Sequence, residues 1–125
     1  MSTGRTLVVG YDGSESSRRA LDRAASLTGY GDELVVVNVA ADQASLTRSH
    51  ELLDEAETQL ILQRVFCRKE GLIGKPAREL MNLAADTGAD LIVVGNGKTA
   101  VQRLILGSVS TEIVHHAPCD VLVVR

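Results

Sequence analysis

"LIVVGNGKTAVQRLILGSVS", Leu91 to Ser110, opens as an unbroken apolar run, stops at Gly95-Asn96-Gly97, and reaches Gly107-Ser108-Val109-Ser110. Two readings compete. The glycines cradle a phosphate, or they only turn the chain between a strand and a helix. The apolar run is continuous rather than alternating, so both faces of the strand are covered. That is the pattern of a parallel sheet with helices on each side.

Outward from this stretch the same pattern repeats. Thr6–Gly10 (TLVVG) predicts a short buried strand ending at glycine. A helix follows, with Ser14 as N-cap, Glu15 in its first turn and Gly29 as its stop. Its apolar stripe is Ala20, Leu21, Ala24, Ala25 and Leu27. Glu33–Val39 is a second strand, and Leu46–Arg64 a long helix burying Leu53, Ala56, Leu60 and Ile61. VFCRK (Val65–Lys69) predicts a third, weaker strand. Pro76 opens a helix with Leu80, Met81 and Ala84 inward, and Gly88 closes it. Asp90–Val94 is the fourth strand, Ser108–His116 a helix, and Cys119–Val124 the fifth strand. The order β-α-β-α-β-α-β-α-β describes one doubly wound α/β domain over residues 1–125, with helices on both faces.

Composition narrows the partners. The 125 residues are 45% hydrophobic but 2% aromatic, so Leu, Val, Ile and Ala must build the core. A net charge of -3 offers no footprint for nucleic acid. An anionic ligand remains compatible, because backbone N–H groups hold phosphate on an acidic protein. No apolar run approaches the roughly 18 residues of a membrane span, and the N-terminus lacks a signal-peptide layout. A cytoplasmic protein is expected. Cys67 and Cys119 form neither a metal spacing nor a redox pair, and read as thiols in a reducing compartment.

Three blocks of the chain resemble the universal stress protein family. TLVVGYDGSESSRRALDRA is similar to the family's opening strand, acidic turn and first helix. GKPARELMNLAADTGADLIVVG resembles its third helix and fourth strand, and RLILGSVSTEIVHHAPCDVLVV its closing loop, helix and strand. The segment Ala41–Ile73 is shorter than is usual there. The resemblance implies strand order 3-2-1-4-5. With that order, strands 1 and 4 flank the switch point at which open α/β sheets bind ligands. Gly10-Tyr11-Asp12-Gly13-Ser14 and Gly95-Asn96-Gly97 then meet at one crevice.

In the family's nucleotide-binding branch the signature is G-x2-G-x9-G-[ST]. Gly97, nine residues and Gly107-Ser108 match its second half; Gly95 and Gly97, separated only by Asn96, leave the first half one residue short. Glycine permits close approach and positive φ, while the free N–H groups and dipole of the last helix favour an anion. Ser108 and Ser110 can add hydroxyls. The bland alternative is that Gly95 and Gly97 turn the chain and Ser108 caps the helix.

The resemblance implies a role for Asp12 near adenine, ribose or a bound metal. As a turn residue it would instead bond the backbone at Gly13 or Ser14. Val39 occupies the place of the family's apolar adenine contact, or is ordinary core. Lys98 and Arg103 could neutralise phosphate or be solvated. Gly95-Asn96-Gly97-Lys98-Thr99-Ala100 spells G-x-G-x-x-A, but it follows the fourth strand rather than opening the first βαβ unit. Lys98-Thr99 lacks the glycines of a phosphate-loop lysine. His115 and His116 point about 100° apart on a helix and do not make a metal pair. His50 has no evident partner.

There is no nucleophile elbow, HExxH or Ser-His-Asp set, which leaves at most slow ATP hydrolysis. The expected ligand is ATP or AMP, with or without Mg. The expected contacts are Gly10, Tyr11, Asp12, Val39, Gly95, Gly97, Gly107, Ser108, Val109 and Ser110. The phosphates would lie on the N–H groups of Gly97, Gly107, Ser108 and Val109, ordering the Lys98–Leu106 loop. Strand 5 lies at a sheet edge, and the resemblance implies a homodimer through Val121, Leu122, Val123 and Val124. Asp120 stands where the family often has proline. Two functions follow: a nucleotide-binding sensor or regulator of stress response, or a dimeric interaction protein that binds no nucleotide.

Overall fold

Four runs rich in Val, Leu and Ile, with the more polar RKEGLI at one edge, become the strands of one parallel sheet. The computed structural model describes residues 4–98 and 106–125. The strands are β1 (Thr6–Gly10), β2 (Glu33–Ala40), β3 (Arg68–Ile73), β4 (Leu91–Gly95) and β5 (Asp120–Val124). Between them run α1 (Glu15–Leu27), α2 (Leu46–Leu62), α3 (Pro76–Thr87) and α4 (Ser108–His116). A short 3-10 turn, Gln43–Ser45, leads into α2. The strand order is β3-β2-β1-β4-β5, as expected.

The pleat of β1 explains the two-layer core. Leu7 and Val9 join Leu21, Leu53 and Leu60 on the α1/α2 face. Val8 between them points the other way, to Val35, Leu80, Ile92 and Ile113 on the α3/α4 face. Each such side chain, fully buried, stabilises by about 1.5–3 kcal/mol relative to exposure. β1 is the central strand, with Val8 paired to Val35 on one side and Ile92 on the other.

Helix ends follow local chemistry. Ser14 caps α1 by accepting from Ser17 N–H, as expected. The other end departs from expectation. Thr28, extended, is the C-cap, and its hydroxyl bonds Ala24 O at 2.8 Å, so Gly29 is not needed as a stop. Instead Gly29 N–H donates to Asp32, which also accepts from Arg5. Pro76 opens α3, and Gly88 closes it in the left-handed conformation (φ 64).

α2 ends differently again. Arg64 takes the left-handed position (φ 61), with Arg64 N–H on Ile61 O and Val65 N–H on Leu60 O, each at 2.9 Å. This is a Schellman turn with arginine where glycine is usual. It carries Val65 against the core and throws Phe66 into solvent, 82% exposed. The third strand therefore begins at Arg68 rather than Val65. Ile61, expected inward, is 52% exposed, while Leu52 is buried. Leu27 and Met81 are only half-buried.

Candidate functional site

β1 delivers its last residues to the carboxyl edge of the sheet. Tyr11 N–H continues the ladder to Val37 O at 2.9 Å. The Tyr11 ring turns into the α1/α2 core, and its hydroxyl donates to Glu55 on α2. Burial, then Glu55, pushes the phenol up to about 12. The Tyr11 backbone borders the crevice while its hydroxyl serves α2.

Gly13 reverses the chain with positive φ (81), and Ser14 N–H bonds Asp12 Oδ1 at 2.9 Å. The turn expected of Asp12 is thus present. Ser17 Oγ accepts from Asp12 N–H at 3.3 Å and donates to Ser14 O at 3.0 Å. Partial burial pulls the Asp12 carboxyl up, but these Ser14 and Ser17 hydrogen bonds outweigh it and hold the group below its usual range. Asp12 is therefore anionic at neutral pH.

β4 arrives 81 residues from α1 and is stitched to it: Gly97 N–H donates to Ser16 Oγ at 3.2 Å. Gly95 lies against the Ser16 backbone so closely that a Cβ would sit 2.5 Å from Ser16 C. Its glycine is required by packing. Asn96, fully buried, organises the rest. Its N–H bonds Val124 O at 3.0 Å, its carbonyl accepts from Gly107 N–H at 2.7 Å, and its Oδ1 accepts from Lys98 N–H at 3.0 Å. Gly97 has φ 74, a conformation favouring glycine.

The N–H groups of Gly97 and Gly107, expected on phosphate, are therefore engaged within the protein. Gly107, not Ser108, is the N-cap of α4, and it brings no side-chain cap. Ser108, Val109 and Ser110 N–H have no acceptor among the described residues. The Ser110 hydroxyl bonds Gly107 O at 3.1 Å and is 2% exposed, so it supports the turn.

These segments enclose a cavity of about 340 Å³, within the roughly 300–1,000 Å³ of small-molecule sites. Gly10, Tyr11, Asp12, Val39, Gly95, Gly97, Gly107, Ser108, Val109 and Ser110 all border it, and so does Lys98. Arg103 and Thr99-Ala100 lie outside the described residues. Sequence reasoning missed Ser16 and Asn38, and it placed Asn96 at the crevice without its bonding role. Asn38 borders the cavity, is 7% exposed, and donates from Nδ2 to Tyr11 O at 2.8 Å. That leaves Oδ1 as an acceptor. Its position one residue before Val39, on an otherwise apolar strand, was the available signal.

The cavity thus has acceptors on the β1–β2 side (Asp12, Asn38) and donors at the start of α4. Among the described residues, no three His, Cys, Asp or Glu side chains group as metal ligands, and no helix is long and apolar enough to cross a membrane.

Comparison with known proteins agrees with this architecture. The Universal stress protein family profile matches residues 4–125. A universal stress protein of Mycobacterium tuberculosis is 34% identical over 144 residues, covering 100% of this chain and 99% of its own. A crystal structure of a universal stress protein in complex with cAMP superposes with a TM-score of 0.82 at 30% identity, covering 99% of both chains. The Archaeoglobus fulgidus universal stress protein in complex with dAMP gives 0.81 at 21% identity, over 99% of this chain and 100% of that one, and supports the fold alone. The sheet order, the crevice and the profile match agree: the chain belongs to the universal stress protein family.

Proposed function

We propose that residues 1–125 act as one cytoplasmic domain that binds an adenine nucleotide between β1 and β4 and serves as a sensor or regulator in stress response. The observation that carries this reading is the run of free N–H groups at Ser108, Val109 and Ser110, opening onto a cavity at the switch point. A helix N-terminus carries about half a positive charge and suits a phosphate. Asn38 Oδ1, Val39 and Asp12 then face the nucleoside: an acceptor for an amine or hydroxyl, an apolar surface for the base, and an acceptor for ribose. The related protein crystallised with cAMP supports the ligand class. Second copies would pair along β5, an edge strand whose Val121, Leu122 and Val123 are half-buried.

A dimeric interaction protein without nucleotide is the second reading. It is favoured by the short Gly95-Asn96-Gly97 turn, which closes upon itself. A thermal melt separates the two. A ligand at 100 times its Kd stabilises by about 2.7 kcal/mol, a midpoint rise of about 10 °C for a domain of this size. Such a rise with AMP supports nucleotide binding. An unchanged midpoint at millimolar AMP and adenosine, in protein shown to carry no nucleotide, favours the second reading.

A further inference from the structure

The ladder between β1 and β2 ends one bond early, and a side chain is the cause. Gly10 is the last β1 residue in register, opposite Val37, and Tyr11 N–H donates to Val37 O at 2.9 Å. Successive residues of a parallel strand direct their peptide groups to opposite neighbours. Ala40 O accepts from Gly74 N–H at 2.9 Å, on the β3 side. Val39 therefore turns its N–H and C=O to the β1 side, where the next bond in register would join Val39 N–H to Tyr11 O. Tyr11 O accepts instead from Asn38 Nδ2 at 2.8 Å.

Beyond Tyr11 the chain leaves the sheet and reverses at Gly13, with φ 81. The Val39 N–H and C=O consequently have no partner among the described residues. Val39 is half-buried and borders the cavity, as do Tyr11 and Asn38. Unpaired peptide groups at a half-buried edge are unfavourable until something bonds them. This pair sets a donor beside an acceptor, which matches the ring nitrogen and amine along one edge of adenine. Asn38 is 7% exposed on an otherwise apolar strand, and its amide orientation is fixed because a carbonyl only accepts. An apolar residue in its place would return Tyr11 O to Val39 N–H.

Resting on the nucleotide reading above, we propose that Asn38 is a positioning residue. By taking the Tyr11 carbonyl it stops the β1–β2 ladder and keeps the Val39 peptide edge open for the base.

The test is amide hydrogen exchange by NMR on the full chain, with AMP as the probe. In the free protein Val39 N–H should exchange at least about tenfold faster than Val37 N–H, which the ladder holds, and AMP should slow it. In Asn38→Val, Val39 N–H should be protected without ligand, and AMP affinity should fall about tenfold, the scale of one hydrogen bond. Protection of Val39 in the free wild-type protein overturns the proposal. So does a folded Asn38→Val variant in which Val39 still exchanges freely, even if AMP binds it more weakly, since Asn38 would then be merely structural. AMP that binds the wild-type protein without slowing Val39 overturns the proposal and leaves the nucleotide reading intact. AMP that does not bind removes both. Should Asn38→Val fail to fold, wild-type exchange with and without AMP decides.

Discussion

At the scale of single residues, neighbouring glycines do different work. Gly95 has no room for a side chain, because a Cβ would stand 2.5 Å from Ser16 C. At Gly10 the nearest atoms to a Cβ are Leu80 Cδ2 at 3.4 Å and Val94 Cγ1 at 3.5 Å. Gly95→Ala should therefore cost about 2–3 kcal/mol in urea denaturation, against under about 1 kcal/mol for Gly10→Ala; equal costs would contradict the packing role. Tyr11 makes a second prediction. The fold favours its neutral phenol, which titrates near 12 against about 10 when unfolded. Its contribution to stability is whole below pH 10 and drains as pH rises from about 10 to 12. In a Tyr30→Phe background, absorbance should follow Tyr11 alone, with a midpoint near 12. A midpoint near 10 would mean the Glu55 bond does not persist. None of these pairings was readable in sequence. Ser16 and Gly97, or Tyr11 and Glu55, lie 81 and 44 positions apart and share no periodicity.

At the scale of elements, sequence was informative where burial is two-sided. β1 and α1 begin where the apolar run and the Ser14 cap predict, because β1 is buried on both faces and α1 packs on the sheet through a full apolar stripe. β3 was misplaced by three residues. It is an edge strand whose exposed positions alternate with half-buried ones, and Phe66, the most hydrophobic residue of the predicted segment, lies in solvent. The displacement traces to Arg64. A left-handed arginine costs about 1 kcal/mol over glycine, so Arg64→Gly should stabilise the fold by about that much and raise Tm by about 4 °C. A lower Tm would show that the arginine side chain outweighs its backbone strain. At the other sheet edge, β5 should hold two copies together. Sedimentation equilibrium should report a dimer, and Val123→Lys should shift it toward monomer; a concentration-independent monomer mass would refute the pairing.

At the scale of the molecule, the ten residues expected at the site converge because strand order 3-2-1-4-5 brings the ends of β1 and β4 together. Alternating elements made the α/β class legible. The order itself came from the family resemblance, since periodicity does not specify which strands pair. The division of labour within the site was not legible either: the N–H groups of Gly97 and Gly107 are bonded within the protein, while those of Ser108, Val109 and Ser110 have no acceptor among the described residues. Acid should loosen the opposite end. Hydrogen bonds from Gly29 and then Arg5 hold the Asp32 carboxyl at about 2. Its contribution is present above the unfolded value near 4 and fades as pH falls toward 2. Asp32→Asn should flatten the loss of stability across that window, and an unchanged slope would count against the tie.

The central claim is that α4's first turn holds the phosphate, and Ser108→Pro tests it most directly. Proline suits the first helical position, and Gly107 before it is already extended (ψ 171). The substitution therefore removes one N–H and one hydroxyl without disturbing the helix. Calorimetric titration of AMP into both proteins should show an unliganded Tm within about 2 °C and affinity lower by about 10–100-fold, the cost of losing a hydrogen bond to a charged group. Equal AMP affinity in a folded variant would contradict the claim.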